Sequence, residues 1–206
     1  MGGEGRGREG YAAEFRYVTV GSVRGEGRKL RKTLSGDNVA LREVLDEAVA
    51  RARKIDDEKN PELPEPEKAE IARVIGIGAV KYADLSQYRM TDYIFSWDRM
   101  LSFQGNTAPY LQNAYVRIQS IFRKAGEATP KGASLILAEP AEKDLAKRLC
   151  QFAEAVPTIL NDFRPNMLAN YFFELANSFN EFYGTFPVLT SEAALPRSRR
   201  GLVEQS

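Results

Sequence analysis

"GNTAPYLQNAYVRIQSIFRKAG", residues 105–126, decides how the second half of the chain folds. At about 100° per residue, Leu111, Ala114, Tyr115, Ile118, Ile121 and Phe122 share an arc of about 120°, the width of a core-facing stripe. Tyr110, Asn113, Arg117, Ser120 and Lys124 fall on a neighbouring arc roughly 80° wide. The spacing predicts an amphipathic helix over 107–124, with one arc in a core and a second running from an aromatic ring to a cation. A flat ring beside cations suits unstacked RNA bases and phosphates. A bundle helix that meets only water can carry the same arc.

Two further helical patterns follow. One starts near 141, with Leu145, Leu149, Phe152, Val156, Ile159 and Leu160 on its apolar side, and is expected to bend or break before Pro157. The other starts near Pro165, carries Leu168, Phe172, Leu175, Phe179 and Phe182, and ends at Gly184. A last pattern begins in "SEAALPRSRRGLVEQS". Together these predict a helical bundle.

Upstream the pattern is mixed. Residues 1–14 read as a glycine-rich, charged tail, and "FRYVTVGSV" (15–23) as a strand. The basic loop "RGEGRKLRKTLSGD" leads to a helix with Val44, Leu45, Ala48, Ala52 and Ile55 at helical spacing, capped by Ser35 or Asp37. After a proline-broken linker, Pro66 opens a helix expected to bury Ile71, Val74 and Ile75. Gly76, Gly78 and Ala79 predict close approach of one backbone to another, and an extended segment is expected before residue 103.

Composition narrows the chemistry. The chain has 206 residues, 43% apolar, enough for a real core, and a net charge of +1, so anion binding has to come from local patches. It has no histidine and one cysteine, Cys150, which removes imidazole catalysis, histidine metal sites and internal disulfides. Cys150 borders an apolar stripe and reads as an inert small hydrophobe. Phe172, Phe179, Phe182 and Ile118 read as core, Asp46 and Glu47 as a solvated helix face, and Trp97 and Asp98 as a domain junction. No protein metal site and no spanning helix are expected.

The wording carries more than the periodicity. "GIGAVKYADLSQYRMTDYIFSWDRMLSFQGNTAPYLQNAYVRIQSIFRKAG" resembles arginyl-tRNA synthetases across the junction of their catalytic and anticodon-binding domains. "SGDNVALREVLDEAVARAR" and "YFFELANSFNEFYGTFPVL" are similar to segments of the same family, in the same order. The resemblance implies a mainly α fold. A short, β-containing remnant of a class I catalytic domain (15–104) would precede an α-helical bundle anticodon-binding domain (105–206). It implies an arginine–tRNA ligase that uses ATP, with magnesium accompanying the nucleotide, and an arginine-accepting tRNA as partner, in the cytoplasm.

The resemblance also implies roles for residues. "GRKLRKTLSGD" is similar to the family's mobile basic loop, so Lys29 and Lys32 are expected at ATP phosphates, with Leu34 where the family often has arginine. Tyr110 matches an aromatic position at the anticodon loop, and Asn113 stands where a second tyrosine is usual, removing one stacking platform. Tyr183 matches a further aromatic near the anticodon or forms the core edge of its helix. Arg117 and Lys124 are expected phosphate contacts. The family's histidine signature has no counterpart, and the family normally adds a final helix and a short tail after a segment like "SRRGLVEQS", so both ends read as truncated and the chain by itself as inactive, completed by an N-terminal catalytic half. A non-catalytic tRNA-binding module and a non-functional reading frame are the alternatives.

Overall fold

The fold comes from a computed structural model, which describes residues 16–24, 41–125, 135–186, 188 and 194–206. The loop with Lys29 and Lys32, the caps Ser35 and Asp37, and the 1–14 tail lie outside the described residues. What is described is mostly helical, with two short strands.

Helices α1 (Leu41–Lys59) and α2 (Glu65–Leu85) form an antiparallel hairpin. Ala48 and Ala52 of α1 and Ala72, Gly76 and Ala79 of α2 are buried, so small residues line the seam. A Cβ on Gly76 would lie 2.7 Å from the carbonyl carbon of Ala48, which is the close backbone approach expected from the sequence. Ile71 and Ile75 are half-buried, whereas Val74 points outward, so the stripe of α2 is narrower than predicted. Asp46 and Glu47 are exposed and face Arg42 and Arg51 at the i,i+4 spacing of a solvated face.

Strands β1 (Val23–Arg24) and β2 (Tyr93–Ile94) pair in parallel, Val23 opposite Tyr93. The strand predicted over 15–23 shrinks to this pair. Tyr17 is 94% exposed and Val20 77%, and β-branched composition favours a strand only where a partner covers one face. One short helical turn, α3 (Trp97–Met100), then leads through Gly105, at φ +79°, into α4 (Ala108–Ala125). Phe95, Met100 and Leu101 join Ala52, Ala72 and Ala79 in the core under this half, with Trp97 edge-on to Phe95 at 4.7 Å. Asp98 is exposed.

The second core is built by α4, α5 (Pro140–Cys150), α7 (Pro165–Thr185) and α8 (Ala194–Glu204). Ile121, Leu145, Phe179, Phe182, Leu202 and Val203 are its fully buried members. Between α5 and α7 runs α6 (Phe152–Asp162), which has no buried residue. The break expected before Pro157 lies at Gln151, and Pro157 sits inside α6. Since α6 lies against α7 along one side only, the ring faces water; Leu160 is 66% exposed and Phe152 also emerges. Phe172 is exposed as well, so it is not the core residue predicted, and Cys150, expected beside the apolar stripe, is a free, exposed thiol.

One tyrosine ties the halves together. The Tyr82 hydroxyl of α2 lies 2.5 Å from Asn106 Oδ1 and 2.9 Å from the Ala169 carbonyl, and its one proton serves these two acceptors. Asn106 in turn donates to Asn170 Oδ1 at 3.2 Å. Burial pushes the Tyr82 phenol from 10.0 to about 12. The folded state therefore holds this proton more tightly than the unfolded state. The resulting stabilisation is complete below about 10 and is lost as pH rises through about 12. In urea titrations from pH 9 to 12, the wild type should lose about 1–2 kcal/mol more than Tyr82→Phe across that window.

Candidate nucleic-acid interface

Helix α4 does not bury quite the arc its sequence predicts. Ala114 and Ile121 are fully inside, while Tyr115, at the far edge of the apolar arc, is 62% exposed. The buried stripe is thus rotated by a few tens of degrees toward the polar arc. Tyr110 and Arg117 are half-buried against α7 as a result, whereas Lys124 stays in solvent.

The contact is a chain of directed hydrogen bonds. Tyr110 packs its ring on Phe173 at 5.6 Å and donates its hydroxyl proton to Asn177 Oδ1 at 2.7 Å. Asn180 Nδ2 donates to the same hydroxyl at 2.9 Å, and Arg117 Nη1 donates to Asn180 Oδ1 at 2.7 Å. The Arg117 guanidinium also lies 5.8 Å from the centre of the Tyr183 ring, within cation–π range. Tyr183 stacks on Phe179 at 5.9 Å with planes 20° apart, yet remains 39% exposed.

Of the predicted site residues, Tyr110, Arg117 and Tyr183 therefore meet in one cluster across α4 and α7. Tyr110 has less free ring than a stacking platform needs, because Phe173 and two asparagines engage it. Asn113 is half-buried one turn from both Tyr110 and Arg117, and no described hydrogen bond involves it. Lys124 lies two turns beyond Arg117, exposed. Asn177 and Asn180 were missed by the sequence reading. Their signal was present: two amides three residues apart in "YFFELANSFNEF", on the helix that carries the Leu175, Phe179 and Phe182 stripe.

Tyr183 and Arg117 together offer a partly open ring beside a guanidinium with spare donors. Such a pair can stack a base and hold a phosphate. Among the described residues, no group of three or more His, Cys, Asp or Glu side chains could hold a metal ion, and no helix is long and apolar enough to cross a membrane.

Comparison with known proteins gives this surface a context. Residues 111–206 match the family model of the DALR anticodon binding domain, and residues 8–97 that of tRNA synthetases class I (R), catalytic domain. An arginine–tRNA ligase of Laribacter hongkongensis is 48% identical over 195 residues, which cover 93% of this chain and 34% of that protein. One from Chromobacterium violaceum is 48% identical over 188 residues, 91% of this chain and 33% of that protein. The chain thus spans about a third of the length of the curated relatives it matches. Thermus thermophilus arginyl-tRNA synthetase superposes with a TM-score of 0.77 at 36% identity, over 89% of this chain and 31% of that one. The Plasmodium falciparum arginyl-tRNA synthetase superposes with a TM-score of 0.73 at 28% identity, over 81% of this chain and 30% of that one. With a class I catalytic segment and an anticodon-binding segment in series, and relatives of one kind across nearly its whole length, the chain belongs to the arginyl-tRNA synthetase family.

Proposed function

We propose that this chain binds the anticodon arm of an arginine-accepting tRNA across the α4–α7 face, and that the whole protein joins arginine to that tRNA at the expense of ATP. The observation that carries the reading is Tyr183, 39% exposed beside Arg117, inside the segment that matches the anticodon-binding model. Tyr183 stacks a loop base, Arg117 and Lys124 meet phosphates, and Tyr110 holds the cluster in place. The domain boundary falls near residue 104, which the separate hydrophobic cores on either side support. Lys29 and Lys32 serve ATP phosphates with accompanying magnesium in the catalytic segment, and the cytoplasm is the site of action.

Binding of an arginine tRNA, followed by fluorescence anisotropy, tests the reading. A stacked base is worth about 1–3 kcal/mol, so Tyr183→Ala should weaken binding about tenfold or more. Lys124→Ala should cost less and should flatten the dependence of log Kd on log salt by about one unit. Unchanged affinity in Tyr183→Ala would sink the anticodon assignment.

A further inference from the structure

The hydrogen bonds between α4 and α7 have a forced direction. A guanidinium has donors only, so the Asn180 atom that faces Arg117 Nη1 at 2.7 Å has to be its oxygen. The Asn180 amide nitrogen therefore faces Tyr110 and donates to its hydroxyl at 2.9 Å. That leaves the single hydroxyl proton of Tyr110 for Asn177, whose nearest atom, at 2.7 Å, has to be oxygen in turn. Asn177 Nδ2 is then the end of the relay. It makes no described hydrogen bond, and Asn177 is half-buried rather than enclosed. An amide that rotates freely can read either a donor or an acceptor. Here Arg117, through Asn180 and Tyr110, removes that freedom.

We propose that Asn180 is a positioning residue that locks this relay, so that Asn177 offers only N–H to a loop base and selects an edge bearing an acceptor. The proposal rests on the tRNA-binding reading above and adds to it which chemical edge is read and what fixes the choice. Single-stranded RNA bases are read on such edges once they are splayed from the stack. The direction of each hydrogen bond then carries the discrimination, because a mismatch sets donor against donor.

The test measures binding of this chain to arginine-tRNA anticodon stem-loops in which each loop position carries each of the four bases in turn. Asn177→Asp keeps size and the acceptor for Tyr110, but replaces the outward donor by an acceptor. The wild type should discriminate about tenfold at one loop position, and Asn177→Asp should abolish or reverse the preference there while the others keep theirs. Asn180→Asp keeps the acceptor for Arg117 and loses the donor to Tyr110, so the same preference should relax. A uniform loss across the panel in Asn177→Asp, as added negative charge alone would give, overturns the proposal, and so does an intact preference. Thermal melts establish folding. If Asn177→Asp does not fold, Asn177→Ser takes its place: its hydroxyl both donates and accepts, so the preference should vanish, and persistence of the preference overturns the proposal. A normal Tyr183→Ala effect with unaltered base preference sinks this inference alone. Failure of the wild type to bind any stem-loop sinks the anticodon reading with it.

Discussion

Glu142→Ala should destabilise the second core by about 3–5 kcal/mol, a large share of the roughly 5–15 kcal/mol that holds an ordinary domain folded. The carboxylate is 1% exposed and does three things at once. As the third residue of α5 it reaches back to the first turn, where one oxygen accepts from the Glu139 N–H at 3.0 Å and the Ala138 N–H at 2.9 Å. Its other oxygen meets Arg199 Nε of α8 at 2.6 Å, with the Arg199 side chain only 12% exposed. Alanine leaves two amide donors and a guanidinium without their acceptor. The loss is larger than the pair is worth, because an uncompensated buried charge remains. Glu142→Gln separates the parts: its carbonyl can still cap α5, but its NH2 opposes Arg199, so an intermediate loss is expected in denaturant titrations.

The same group sets an acid limit. Desolvation alone pushes the Glu142 carboxyl up, but the Glu139 N–H, Arg199 and the Ala138 N–H outweigh it and hold it below its usual value of 4.5. The folded state therefore binds this proton less readily than the unfolded state. Its stabilisation is present above about 4.5 and is lost as pH falls through the lower folded value.

Local signals made some of this fold legible and left the rest dark. Helix α4 was expected over 107–124 and runs Ala108–Ala125, and α7 begins at the expected proline, because apolar periodicity and first-turn prolines are properties of adjacent residues. Pro157 misled for a related reason. The missing N–H would have bonded the Ala153 carbonyl, but Ala153 and Pro157 are both exposed, so water can take that acceptor and the helix continues past the ring. Tyr115 was misplaced because a helical arc has edges, and only the neighbouring helices decide which edge is covered. The family wording located the α4–α7 surface, whereas its chemistry joins residues 63–70 apart in sequence, beyond any periodic pattern. Glu142 and Arg199, 57 residues apart, were invisible in the same way.

Of the two glycines expected to pack backbone against backbone in α2, Gly76 does so and Gly78 meets a side chain, and Gly76 supports the second large effect. Gly76→Val should cost more than the ~1–3 kcal/mol typical of overpacking, because the obstruction is main chain. A Cβ on Gly76 would sit 2.7 Å from the Ala48 carbon and oxygen and from the Val49 nitrogen, distances that a side-chain rotation cannot relieve. Helices α1 and α2 would have to separate, opening the seam of Ala48, Ala52, Ala72 and Ala79 to water. Gly78 provides the internal control. Its Cβ would meet the Gln112 amide at 2.7 Å, the end of a flexible side chain that now donates to the Val74 carbonyl at 3.2 Å. Gly78→Ala should therefore be mild, since Gln112 can swing away and alanine regains about 1 kcal/mol of helix propensity. Urea midpoints of the two variants decide the matter. A Gly76→Val loss no larger than that of Gly78→Ala would mean that the hairpin does not pack backbone to backbone. A large loss at Gly76 alone would fix α1 and α2 as the rigid platform from which Tyr82 reaches Asn106 and the second core.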